Sequence, residues 1–148
     1  MKLLGNDIQQ IAADFLQDTG TIMVALDELL READFISINC DLNPTSYHLM
    51  GRQELSLMKS VAYLINTARG PILDEDALIW ALKNKVIAGA ALDVFEAEPL
   101  PEDSPLRQFE NCLLSPHNAN SSPEAWQHVH ENTIKNLIDG LKARCKTR

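Results

Sequence analysis

The sequence predicts an α/β fold built on a mainly parallel sheet with helices on its faces. Three observations carry this. Short apolar runs closed by turn formers alternate along the whole chain with segments of helical periodicity. Strand–helix–strand repetition of this kind implies crossover connections, which parallel strands require. Finally, Asp7, Arg69, Asp93 and His117 each follow directly on a predicted strand. Polar residues scattered at random would not collect there, and in open parallel sheets that edge is where ligands bind.

The elements follow in order. Met1 to Asp7 reads as a short strand ending in an acidic residue. Ile8 to Asp18 has weak helical periodicity and stops near Gly20, and Thr21 to Val24 is a brief strand. Leu26 to Ala33 is a compact amphipathic helix with Leu26, Leu29 and Leu30 on one face. Phe35 to Cys40 is a strand, Asp41 to Tyr47 a loop containing Pro44, and Gly51 to Met58 a short helical region. The run from Ala62 to Gly70 begins apolar, as a buried strand, and ends in a polar loop carrying Arg69, whose planar fork of donors suits a carboxylate. Asp74 to Asn84 is a helix that Asp74 starts, with Ala77, Leu78, Ala81 and Leu82 on its buried face. Ile87 to Asp93 is a strand of mostly small residues, suited to close packing by a helix. Val94 to Phe109 is a long loop with three prolines, and Cys112 to Pro116 is a last strand leading into His117. Pro123 to Ala143 is a long helix with Trp126, His130, Ile134, Leu137 and Leu141 along one stripe, of which Trp126 and the leucines are expected to be core. His128 and His130 are surface or interface residues on this reading, since helical positions two apart point in different directions.

Length and composition bound the function. The 148 residues suffice for one domain with a real core, and 45% hydrophobic with 23% charged residues is ordinary for a soluble protein. A net charge of -8 argues against a nucleic-acid or anionic-membrane partner. Cys40, Cys112 and Cys145 are widely spaced and odd in number, which makes neither a disulfide framework nor a zinc site and fits a reducing, cytoplasmic setting. No metal site is expected. No apolar run is long enough to span a bilayer, and the N-terminus lacks a signal-peptide pattern.

Four stretches closely resemble the D-isomer-specific 2-hydroxyacid dehydrogenases: Asn66-Thr-Ala-Arg69-Gly, Asp74-Glu-Asp-Ala-Leu, Ala88-Gly-Ala-Ala-Leu-Asp93-Val-Phe-Glu-Ala-Glu98-Pro, and Leu114-Ser-Pro-His117. The resemblance runs from the first strand to the last helix. It implies a Rossmann-like fold and a domain that transfers a hydride between a nicotinamide cofactor and a D-2-hydroxy acid or 2-keto acid. By resemblance Arg69 binds the substrate carboxylate, Glu98 pairs with the catalytic histidine, and His117 is that acid/base. Asp93 is similar to the residue that holds the nicotinamide amide, and Thr67 and Ala68 match the backbone beside it. Cys40, Leu42, Asn43 and Ser46 fall in the loop that covers the cofactor. Asp7 resembles the acidic residue that binds the adenosine ribose hydroxyls, and its charge would repel a 2′-phosphate, so NAD is expected over NADP. Singly, each of Arg69, Glu98 and His117 has an ordinary structural explanation; together, in this spacing, the functional one prevails.

The chain also departs from the family. His117-Asn-Ala-Asn120 stands where the family has small residues, so Asn120 is expected to border the nicotinamide. Asp41 replaces a common proline, and Glu98 replaces the glutamine of the related formate dehydrogenases, which makes formate a poor guess. The family's opening strand and its G-x-G-x-x-G turn, which holds the pyrophosphate, have no counterpart here. The expectation is a partial nucleotide-binding domain over 1–148 that lacks the first βα unit and starts near the family's second strand, with no substrate domain. In the strand order 3-2-1-4-5-6 the missing strand is central, so the strands ending near Asp7 and starting at Phe35 would face a gap. A strand from a partner, or one exchanged in a homodimer, would fill it. Two readings follow: part of a working oxidoreductase, or a non-catalytic remnant or interaction module that keeps the catalytic residues but cannot bind cofactor alone.

Overall fold

A computed structural model describes residues 1–146. The chain divides into two units, Met1–His117 and Asn118–Arg148. In the first unit β1 (Leu4–Gly5), α1 (Ala13–Thr19), β2 (Ile22–Met23), α2 (Leu26–Glu32), β3 (Phe35–Ile38) and α3 (Arg52–Leu57) lead to β4 (Tyr63–Asn66), α4 (Glu75–Lys83), β5 (Gly89–Leu92) and β6 (Cys112–Leu114). Each of these elements falls inside the segment that periodicity predicts, except that α1 runs one residue past it, to Thr19. The strands are shorter than expected, most of all β1, which pairs over two residues only.

Every strand pairing among the described residues is parallel. β3, β4, β5 and β6 form a four-stranded sheet in sequential order, while β1 and β2 form a two-stranded sheet of their own. β1 and β3 therefore lie in different sheets, and both border one cleft.

Side-chain alternation decides what the sheet buries. In β3, Ile36 and Ile38 are buried, while Phe35 and Ser37 are exposed. Phe35 stacks on its cross-strand neighbour Tyr63, ring centroids 5.7 Å apart, on the exposed side. On the buried side Ile36, Ile38, Leu64, Ala90 and Leu92 meet Leu30 of α2, Leu55 of α3 and Leu78 of α4 in one core. Asp74 caps α4 as expected, its Oδ1 accepting the Ala77 N–H at 2.9 Å. In β5, Ala90 packs in that core, while a side chain at Gly89 would come within 2.9 Å of the Tyr63 ring on the neighbouring strand.

The second unit holds α5 (Pro123–Lys146). Here the expectation of a core stripe is overturned. Trp126, Ile134, Leu137 and Leu141 are all exposed, Trp126 at 57%. A unit consisting of one helix and the turn before it has no second apolar surface of its own to cover that stripe. Among the described residues no helix is long and apolar enough to cross a membrane.

Leu64 lies fully buried on the central strand β4. Leu64→Ala is expected to cost about 2–5 kcal/mol in urea denaturation, by lost transfer energy and a residual cavity. A cost below about 1 kcal/mol would mean the core lies elsewhere.

Candidate active site

The turn after β4 is built by Asn66. Its fully buried side chain accepts the Ala68 N–H at 3.1 Å and donates from Nδ2 to the Arg69 carbonyl at 3.0 Å. This internal template replaces the hydrogen bonds that the chain gives up on leaving the sheet. It presents Thr67 and Arg69 outward as exposed residues. The Arg69 guanidinium donates from Nη1 to the Ala68 carbonyl at 2.6 Å. A 3-10 turn, Gly70–Ile72, follows at once. A side chain at Gly70 would overlap the Phe95 carbonyl and come within 2.5 Å of the Glu96 nitrogen. Only glycine lets the turn after β4 lie directly on the loop after β5.

That second loop begins at Asp93, which is buried and donates its N–H to the Asn66 carbonyl at 3.0 Å. Farther along, Glu98 is held at both oxygens. Oε1 accepts the Phe95 N–H at 3.0 Å, and Oε2 lies 2.8 Å from His117 Nδ1. The bond to His117, then the Phe95 N–H, then the nearby charge of Arg69 hold the Glu98 carboxyl below the usual glutamate range. His117 follows β6 and Pro116 with φ at +55°, a left-handed conformation uncommon for a residue with a side chain. Glu98 and His117 face an open cleft with Phe95, Leu100 and Leu114 in its walls.

A second cleft runs between β1 and β3. Asp7, Cys40, Asn43 and Ser46 line it, together with apolar side chains such as Leu4 and Ile36. Its loop is ordered from within: Ser46 Oγ accepts the Asn43 N–H at 2.9 Å and donates to the Asp41 carbonyl at 2.6 Å, while Asn43 Oδ1 accepts the Thr45 N–H. Asp7 Oδ1 accepts the Gln9 N–H at 2.8 Å. Desolvation of its sulfur, then the charges of Asp41 and Asp7, push the thiol of the exposed Cys40 up. Leu42 does not line this cleft and is 42% exposed. Asn120 lies in the second unit, in the turn before α5.

Sequence reasoning missed the bracing residues. Asn66 and Gly70 lay inside the recognised stretch without a role. Glu75, Glu96 and His48 lay far apart in sequence and showed no shared signal, yet they meet beside the Glu98 loop.

Two outcomes follow from this geometry. Gly70→Ala is expected to destabilise the fold by about 1–3 kcal/mol or more in urea denaturation, because backbone, not a flexible side chain, stands in the way. Glu98 has a depressed folded-state pKa, so its stabilising contribution is present above the unfolded value of about 4.3 and is lost as pH falls through the folded value. The stability difference between the wild type and Glu98→Gln should therefore hold steady above that range and close below it; a difference that widens on acidification would contradict the arrangement.

Residues 1–119 match the family described as D-isomer specific 2-hydroxyacid dehydrogenase, NAD binding domain. A glyoxylate reductase from Thermofilum pendens is 52% identical over 117 residues, 79% of this chain and 34% of that protein. Among solved structures, apo D-mandelate dehydrogenase from Rhodotorula graminis aligns with a TM-score of 0.84 at 31% identity, covering 93% of this chain and 40% of that one. The NAD complex of a D-isomer specific 2-hydroxyacid dehydrogenase from Lactobacillus delbrueckii ssp. bulgaricus aligns with a TM-score of 0.84 at 29% identity, covering 96% and 46%. The chain spans 34–40% of the length of curated relatives such as these reductases. With the match extending over residues 1–119, this chain belongs to the D-isomer-specific 2-hydroxyacid dehydrogenase family, as an NAD-binding domain.

Proposed function

We propose that this chain is the cofactor-binding part of an NAD-dependent oxidoreductase that interconverts a D-2-hydroxy acid and its 2-keto acid. The observation that carries the reading is the His117–Glu98 pair at 2.8 Å, with Arg69 near enough for its charge to act on Glu98. Both members are substantially exposed, with side-chain exposures of 45% and 37%. An ion pair so open to water adds little stability, so its fixed geometry is better explained by chemistry.

The residues fit the cofactor at two of its ends. The cleft holding Asp7 offers a carboxylate for ribose hydroxyls between apolar walls suited to a base. Thr67, Ala68 and the buried Asp93 lie at the C-terminal edge of β4 and β5, where a nicotinamide would sit. The glycine-rich pyrophosphate turn is not among these 148 residues. When bound, the nicotinamide supplies the hydride acceptor or donor.

The chain's own residues would do the rest. Glu98 engages His117 Nδ1, which leaves Nε2 to take the proton from the substrate hydroxyl as C2 gives up its hydride. The ionised Glu98 stabilises the resulting imidazolium, which returns the proton to the oxygen of a 2-keto acid in the reverse direction. Arg69 would exchange its bond to the Ala68 carbonyl for the substrate carboxylate, fixing the acid and polarising the adjacent carbonyl. Because relatives are named glyoxylate reductase and glyoxylate/hydroxypyruvate reductase B, glyoxylate and hydroxypyruvate are the first substrates to assay.

Calorimetric titration with NADH is expected to show binding, weaker with NADPH because Asp7 would repel a 2′-phosphate. A folded chain that binds neither would support the non-catalytic reading instead. In enzyme that turns over, Arg69→Ala should raise KM for the acid about 100-fold. His117→Ala should lower kcat by about 10²–10⁴. Unchanged kinetics in both variants would sink the assignment of these roles.

A further inference from the structure

We infer that Glu96 is a positioning residue: clasped to Glu75 at the start of α4, it fixes the short loop that presents Glu98 to His117. The inference rests on the reading of Glu98 and His117 as the acid/base pair.

The clasp is reciprocal. The Glu96 N–H donates to Glu75 Oε1 at 2.6 Å, and the Glu75 N–H donates to Glu96 Oε1 at 3.0 Å. Two carboxylates brought this close repel one another. Burial, together with the charges of Glu96 and Asp76, accordingly pushes the Glu75 carboxyl up. The arrangement persists because each carboxylate receives a backbone N–H. The Glu75 amide belongs to the first turn of α4, which has no partner within the helix, and the helix N-terminus favours an anion. Asp74 already caps that helix through Ala77, so the cap from Glu96 is an additional one, drawn from 21 residues away.

The surroundings show what the clasp holds. Gly70 packs directly on the Phe95–Glu96 peptide from one side, and α4 grips Glu96 from the other. The Phe95 N–H then fixes Glu98 Oε1, leaving Oε2 for His117. A third strut reaches Glu96 from the loop bordering the Asp7 cleft. His48 Nε2 lies 3.1 Å from Glu96 Oε1, at an angle short of a hydrogen bond, in a ring stacked on Tyr47 at 4.1 Å. The His48 N–H donates to the Pro71 carbonyl beside Gly70. Glu96 is thus where the loop after β3, the turn after β4 and the loop after β5 are joined.

The test follows the Glu98 side-chain carboxyl by carbon NMR titration of the 148-residue chain, so it needs no turnover and stands apart from any failure of the enzymatic reading. In Glu96→Ala the Glu75 N–H loses its acceptor while the backbone N–H at position 96 still reaches Glu75 Oε1, so half of the clasp is removed, and the Glu98 midpoint should move up towards ordinary glutamate values. Glu96→Gln keeps an oxygen to accept the Glu75 N–H, so the midpoint should stay at or below that of the wild type. A merely electrostatic role would move both variants downward together, because both remove a negative charge. Leu78→Ala, which loosens α4 without touching the clasp, should leave the midpoint in place. An unchanged midpoint in folded Glu96→Ala overturns the inference. So does an upward shift in Glu96→Gln, or one in Leu78→Ala, equal to that in Glu96→Ala.

Discussion

Ile38, Asn66, Leu92 and Leu114 stand side by side across four parallel strands. Parallel pairing in sequential order allows nothing else: every strand of the sheet ends at the same edge, and the four loops that follow β3, β4, β5 and β6 depart from it. Cys40, Arg69, Asp93 and His117 come from four separate strand–loop junctions and reach one rim for this reason. The buried side of the sheet keeps the rim in place, with Leu64 at its centre and helices α2, α3 and α4 supplying Leu30, Leu55 and Leu78.

A shared edge is not yet a site, since loops leaving a sheet are free to diverge. Here they are tied to one another. Asn66 shapes one loop from within, and its own carbonyl accepts the Asp93 N–H that starts the next. Gly70 removes the last obstacle between the two. Glu98 spends one oxygen on its own loop and the other on His117, so a single carboxylate sets both the loop and the imidazole. These contacts lie mostly at the surface, where each contributes modestly to stability. Their value is in limiting where the histidine nitrogen can be.

Much of this was legible beforehand because strands and helices announce themselves locally. Alternation placed every element, and Asp74 was readable as a cap from its position before an apolar-periodic run. Arg69, Glu98 and His117 were readable because family likeness preserves their spacing, and the structure brings the last two into contact. What stayed hidden depends on distance along the chain. Nothing in the local sequence around Glu75 or His48 points to Glu96, since contacts between residues 21 or more apart leave no periodic trace. The expectation for Trp126 failed for a related reason. An apolar stripe at helical spacing says that a helix has a face to cover, but not that its own unit provides the cover. Leu42 was carried along with its loop although its side chain does not enter the cleft.

The place of Asp7 has a consequence for what substitutions in this chain can reach. The contacts that tie Arg69, Glu98 and His117 together all lie between Phe35 and His117, within the four-stranded sheet and its loops. Asp7, on which the choice between the two dinucleotides would turn, follows a separate two-stranded ribbon and borders a cleft that none of the three lines. Substitutions around β1 and β2 can accumulate without disturbing the acid/base geometry.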